Sequence, residues 1–310
     1  MEKIATREAY GQALAALGQS NKDIVVLDAD LSKSTKTSTF AKAFPERFFD
    51  MGIAEGNMAA TAAGLSLTGK TVFFSSFAVF ATGRAFEIIR NSICYPSLNV
   101  KIAATHAGVT VGEDGGSHQS VEDIAIMRAL PNMEVFVPAD GVETGKIVEY
   151  MANSQGPQYL RLGRSGQPVL FDNDYKFQPG KATVLRDGKD VAIIACGLMV
   201  SAALDAAESL SQEGIEAAVI NMSSIKPLDR GIIEKYAQKC GALVTAEEHS
   251  VIGGLGSAVA EAVVASAPCP MAFVGVEDRF GQSGKPADLL QEYGLTANHI
   301  KDKVLGLLKK

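Results

Sequence analysis

The feature that most constrains this chain is a repeated alternation. Short, almost wholly apolar β-branched runs are each followed by a stretch at helical spacing. Asp23–Asp30 (DIVVLDAD), Thr71–Ser75, Asn99–Thr105 and Met133–Val137 read as strands. A strand that is apolar on both faces belongs in a parallel sheet covered on both sides. Between the runs lie helical stretches at Arg7–Leu17, Glu55–Leu67, Phe77–Ile93, Ser120–Leu130 and Gly141–Asn153. Strand and helix in alternation predict an α/β fold with a doubly wound, mainly parallel sheet. From Pro168 to Lys189, turn formers interrupt the pattern. The alternation then resumes with strands at Asp190–Cys196, Ile215–Asn221, Ala242–Ala246 and Met271–Val276. The expectation is therefore one domain over 1–167, a linker over 168–189 and a smaller α/β domain over 190–310. A length of 310 residues suits two domains.

Charge and cysteine usage narrow the function classes. A net charge of -6 and a pI near 5.4 argue against nucleic acid as the main partner, which calls for a basic patch. Small anionic substrates need only a few local cations and stay possible. Cys94, Cys196, Cys240 and Cys269 form no CxxC pair. That disfavours a zinc site or a disulfide framework and suits a reducing cytoplasm. The N-terminal MEKIATREAYGQAL has no apolar signal core, and no run of about 18 apolar residues suggests a membrane span.

One segment stands out chemically. His106, Glu113, Asp114 and His118 share a glycine-rich stretch directly after the strand Asn99–Thr105. Ligands of open α/β sheets bind beyond the carboxyl ends of strands, so His106 sits where a site is expected. On the residues alone, a site and an incidentally polar surface loop are equally open. Glu55 begins a small-residue helix, where a carboxylate also suits the helix N-terminus. Read singly, Arg7 and Arg164 are solvated charges, and Phe73, Phe74, Phe77 and Phe80 are core.

Several segments agree on a family. HAGVTVGEDGGSHQSVEDIAIMRALPNM resembles the transketolase segment with a GEDGPTHQ-like core and a PNM-type turn. FFDMGIAEGNMAATAAGLSLTGKTVFFSSFAVFATGRAFEIIR resembles the region around that family's GVREHxM motif and the aromatic stretch that follows. AEEHSVIGGLGSAVAE and DRFGQSGKP resemble the C-terminal domain of the same superfamily. The resemblance implies a thiamine diphosphate pyrimidine-binding domain followed by a transketolase C-terminal domain. It makes Glu55 the catalytic glutamate that shares a proton with the aminopyrimidine ring. It places Phe77 and Phe80 against that ring, with Phe73 and Phe74 left as core. Gly83 stands where the family has a third aromatic, a departure that leaves one side of the ring less enclosed. The resemblance also implies that Arg7, Ser34, His106 and Arg164 bind the phosphate end of a sugar phosphate. It sets Asp114 and His118 nearer the reacting carbons, where they hold hydroxyls and move protons. His106 separates the chain from 1-deoxyxylulose-5-phosphate synthases. His249 reads as an interface residue or a helix-start cap.

A single-chain transketolase also carries a GDG motif, followed about 30 residues later by Asn, that grips magnesium and the diphosphate. Glu113-Asp114-Gly115 and Arg186-Asp187-Gly188 are the nearest triplets here, and both lack the first glycine. Magnesium takes an oxygen-rich octahedral shell, so no metal ligand is expected on this chain. Mg2+ or Ca2+ is expected on a separate N-terminal subunit that shares the cofactor. The expectation is a cytoplasmic α2β2 assembly that moves a two-carbon ketol unit between sugar phosphates, as in pentose phosphate interconversion. The alternatives are the beta subunit of a 2-oxo acid dehydrogenase, or a 1-deoxyxylulose-5-phosphate synthase-like enzyme.

Overall fold

The computed structural model describes residues 2–309. Its first block contains β1 (Lys3–Ala5), β2 (Ile24–Asp28), β3 (Phe48–Asp50), β4 (Thr71–Ser75), β5 (Val100–Ala104), β6 (Glu134–Phe136), β7 (Gln158–Arg161) and β8 (Gly166–Pro168). Its second block contains β9 (Thr183–Arg186), β10 (Val191–Ala195), β11 (Ala217–Asn221), β12 (Ser224–Lys226), β13 (Leu243–Ser250) and β14 (Met271–Val276). The large sheet has the order β12-β6-β7-β5-β4-β2-β3, and only β12 runs antiparallel within it. The second sheet has the order β14-β13-β10-β11-β9, with β9 antiparallel at the edge. A two-stranded ribbon, β1 with β8, closes the start of the chain against residues 166–168.

The apolar runs form parallel strands because each has a core on both faces. In β2, Ile24 and Val26 point into one hydrophobic cluster while Val25 and Leu27 point into another. In β10, Ala192 and Ile194 face the cluster shared with the first sheet, whereas Val191, Ile193 and Ala195 face the helices Met199–Ser211 and Ala297–Leu308. Helix Thr6–Ser20 buries Tyr10, Leu14 and Gly18 at a spacing of four. Gly18 permits this approach, because a Cβ there would lie 2.6 Å from the rings of Phe40 and Phe44. Helix Glu55–Ser66 buries Glu55, Met58, Ala59, Ala62, Ala63 and Ser66, a single stripe of mostly small side chains.

Three differences from the sequence reading have physical causes. The stretch Phe77–Ile93 is not one regular helix: Val79–Arg84 and Ile89–Cys94 are π-helical, with Phe86–Ile88 between them. Ser120–Leu130 is helical only over Asp123–Arg128, because Ser120 instead extends the sheet as a bridge to Ala107. The turn-rich stretch 168–189 contains β9, which pairs with β11. β12, from the second block, pairs with β6 of the first sheet, so the two blocks share one sheet edge. No helix of the described residues is long and apolar enough to cross a membrane.

Candidate active site

The parallel strands all present their carboxyl ends on one side, and the candidate residues follow those ends. Ser34 comes after β2, Glu55 after β3, Phe77 and Phe80 after β4, His106 to His118 after β5, and Arg164 after β7. Arg7 opens the helix that follows β1. Backbone pairing continues past β4 and β5, with Thr105 N–H donating to Ser76 O at 3.0 Å and Ala78 N–H to Thr105 O at 2.7 Å. This extension carries Phe77 and His106 out of the sheet side by side.

These side chains make one continuous line of contacts. Arg7 Nη1 donates to Ser34 O at 2.9 Å and to His106 Nε2 at 3.2 Å. Nε2 must therefore be the unprotonated nitrogen, and Nδ1–H donates to Thr105 Oγ1 at 2.8 Å. Burial, reinforced by Arg7 and Arg164, pushes the His106 pKa down to about 3, so the ring is neutral. His106 has a φ of 58°, a left-handed conformation that side chains other than glycine adopt only when their surroundings enforce it. Here the two hydrogen bonds and the Phe77 ring enforce it. The Phe77 and His106 rings stack with centroids 3.8 Å apart. Phe77 and Phe80 lie nearly parallel, at 12° and 6.0 Å. His118 meets both phenylalanines edge-on, at 6.2 Å and 5.4 Å.

The line ends at Glu55. Its carboxylate is buried, and Arg84 Nη1 reaches both oxygens, at 3.2 Å and 3.4 Å. The Arg84 guanidinium also lies over the Phe80 ring at 4.3 Å. Gly83 beside it is exposed, and a Cβ added there would meet nothing within 4 Å. Arg164 hangs over the other end of the site. Its guanidinium donates to Val111 O and sits 3.8 Å from Asp114 and 3.7 Å from Glu113, both exposed. Arg7 has its own pKa lowered by burial. Among the described residues only its Nη1 has hydrogen-bond partners, so the Nη2 edge of the fork is free to donate to a further acceptor.

The structure thus brings Arg7, Ser34, His106, Phe77, Phe80, His118 and Glu55 into one line, with Arg164, after β7, meeting Asp114, after β5, beside it. Two details differ from the simple picture. Ser34 engages Arg7 through its backbone carbonyl rather than its hydroxyl, and His106 spends both ring nitrogens within the chain, holding Arg7 in place. Phe73 and Phe74 are fully buried core residues. His249 accepts from Ala125 N–H at 3.3 Å near the start of helix Asp123–Arg128, so it joins the two blocks and caps a helix start.

Sequence reasoning missed Arg84 and Asp28. Asp28 ends β2 fully buried and accepts from Leu31 N–H, Thr35 Oγ1 and Thr37 Oγ1 at 2.7, 2.7 and 2.8 Å. Burial raises its pKa to about 6. These bonds fold the turn that presents Ser34 O to Arg7. The signal was visible as an acid at the end of an apolar strand. Among the described residues no group of three or more His, Cys, Asp or Glu is placed to hold a metal ion.

Comparison with known proteins agrees with this geometry. Residues 2–168 match the transketolase pyrimidine-binding domain, and residues 180–300 match the transketolase C-terminal domain. A protein of Methanocaldococcus jannaschii described as a transketolase C-terminal section is 50% identical, over 98% of this chain and 96% of its own. The 6-deoxy-6-sulfo-D-fructose transketolase subunit SqwH of a Clostridium species is 41% identical, over 97% of this chain and 93% of its own. Human transketolase is 42% identical, and this chain spans 50% of its length. Among solved structures, a split-gene transketolase described as an inactive beta4 tetramer superposes with a TM-score of 0.91 at 60% identity, covering 99% of both chains. The chain belongs to the transketolase family. Its two domains are the pair that forms the C-terminal part of a transketolase.

Proposed function

We propose that this chain is the C-terminal subunit of a two-chain transketolase. With a separate N-terminal subunit, it transfers a two-carbon ketol unit from a ketose phosphate to an aldose phosphate. The observation that carries this reading is the unbroken line from the Arg7 fork through His106, Phe77 and Phe80 to the buried Glu55. It supplies an anion-binding end, a flat aromatic wall and a buried carboxylate in one site.

Those residues fit the pyrimidine half of thiamine diphosphate. Nearly parallel phenylalanines, with open space beside Gly83, suit a flat ring. The buried Glu55 suits a ring nitrogen with which it can share a proton. When bound, the cofactor supplies the carbanion that accepts and returns the ketol unit. Glu55 holds the proton at the ring nitrogen, exchanging its Arg84 contact for that one. Phe77 and Phe80 pack on the ring and keep water from it. Arg7 and Arg164 bind the substrate phosphate, and neutral His106 fixes the direction of the Arg7 fork. His118 and Asp114 hold substrate hydroxyls and move protons between them.

The diphosphate and its Mg2+ or Ca2+ are assigned to the N-terminal subunit, in an assembly of two copies of each chain. The near full-length match to a split-gene transketolase and to a C-terminal section supports this. The four cysteines are free thiols, which supports a reducing cytoplasmic setting. The test is a substrate comparison on the complex with its GDG-containing partner, thiamine diphosphate and Mg2+. Transfer from xylulose 5-phosphate to ribose 5-phosphate is expected. Turnover of a branched 2-oxo acid with a lipoyl acceptor, and none of the ketose phosphate, would reject the reading.

A further inference from the structure

The loop that carries Asp114 and His118 has no regular structure beyond a single 3-10 turn at Val109–Val111, yet much of it is buried. The second domain packs against it at both ends. At one end, Glu248 of β13 is buried and accepts from Thr110 N–H at 2.7 Å. The carboxylate lies so close that a Cβ at Gly108 would overlap it. At the other end, the segment Gly281–Ser283 is pressed against the loop. A Cβ at Gly116 would stand 2.5 Å from Gly281 O, and one at Gly115 would overlap Ser283 Oγ.

Gln119 joins the two surfaces. Its side chain is buried, and Nε2 faces three carbonyls: Val109 O at 3.0 Å, Gly112 O at 3.2 Å and Gln282 O at 2.9 Å. Two of these belong to the loop and one to the second domain. Three acceptors fix the orientation of the amide, because only its nitrogen can donate. Among the described residues, Oε1 of the same amide is buried with no hydrogen-bond partner. Gly281 belongs to the same device, since a Cβ there would overlap Oε1.

The geometry points to Gln119 as a positioning residue, through which the second domain holds the loop bearing Asp114 and His118 in its working geometry. This rests on the assignment of those two residues to the substrate under Proposed function. Gln119 touches no substrate in this account. It acts through the loop, and the C-terminal domain thereby becomes part of the active-site frame.

The test uses the assembled two-chain complex. Gln119→Glu keeps the side-chain shape and removes both N–H donors. Amides of Gly112–His118 are expected to exchange hydrogen about tenfold faster, as loss of a hydrogen bond to a buried carbonyl predicts. The kcat for ketol transfer is expected to fall about tenfold, because loosening a reacting geometry costs rate. KM for the phosphorylated donor should rise less than kcat falls, since Arg7 and His106 lie outside the braced segment and only Arg164 leans on it through Val111 O. Gly281→Ala displaces the same amide from the other domain and should reproduce the kcat loss. Wild-type exchange in Gly112–His118 in both variants would overturn the proposal. So would a kcat loss that merely tracks the fraction of unfolded protein. Hydrogen exchange is read without substrate. If the complex proved inactive on sugar phosphates while the loop still loosened, the proposed function would fail and the brace would stand.

Discussion

Replacing His106 with Asn should flatten the acid side of the stability curve of this chain. Asn is the conservative choice because it tolerates the left-handed backbone that His106 adopts, with φ of 58°. The wild-type ring is buried against Phe77 and receives a hydrogen bond from Arg7, so protonation would put a cation beside a guanidinium. Its pKa is pushed from the ordinary 6.5 down to about 3, first by burial and then by Arg7 and Arg164. The sign follows from linkage. Between these values the unfolded chain binds the proton and the folded chain does not, so the contribution is complete above about 6.5 and is lost as pH falls toward 3. One proton changes stability by about 1.4 kcal/mol per pH unit. From pH 6.5 to about 4.5, His106 alone should therefore remove roughly 2.3 kcal/mol, since the unfolded ring is already half protonated at the start. Urea unfolding followed by circular dichroism at stepped pH, at one fixed protein concentration, reads this slope. His106→Asn should show a slope shallower by about one proton over that interval. Parallel curves for the two proteins would refute the claim that His106 is held neutral.

Other perturbations probe neighbouring parts of the account. Burial raises Glu248 from the ordinary 4.5 to about 7, so the folded chain holds that proton more tightly and this group's contribution declines as pH rises from 4.5 to 7. Glu248→Gln should remove the decline in the same urea series. Arg84→Met should leave the buried Glu55 carboxylate without its cation, costing about 1–3 kcal/mol of stability by urea midpoint. Saturating thiamine diphosphate and partner subunit should narrow that deficit. Arg7→Lys keeps the charge but lacks the Nη2 edge that the guanidinium leaves free while its Nη1 holds Ser34 O and His106 Nε2. KM for a phosphorylated donor should rise by about tenfold or more, with little change for an unphosphorylated one, in steady-state assays of the complex.

Much of the fold was legible because its strands are apolar on both faces. β2, β4, β5, β10 and β11 needed no alternation to be recognised, only a continuous apolar run. β7 was hidden because its ends, Gln158 and Arg161, are polar. They are buried only because Glu134 and Asp123, distant in sequence, accept their hydrogen bonds. β12 was hidden because its partner is β6, about ninety residues earlier. The π-helical turns around Phe80 and Ile89 carry the same apolar content as an α-helix, and composition cannot separate the two. The strand-end rule and the family motifs pointed to Glu55, Phe77, Phe80, His106 and His118, which the fold brings together. Arg84, Gln119 and Glu248 were not legible. Each matters through a contact made only when distant segments fold together.

The central claim is that a working site forms only where this chain meets a second subunit. Ketol transfer from xylulose 5-phosphate to ribose 5-phosphate, measured for this chain alone, for its GDG-containing partner alone and for the mixture, tests it most directly. All three samples receive thiamine diphosphate and Mg2+. The account predicts activity only in the mixture, rising to a plateau at equal amounts of the two chains. Full activity from this chain without a partner would contradict it.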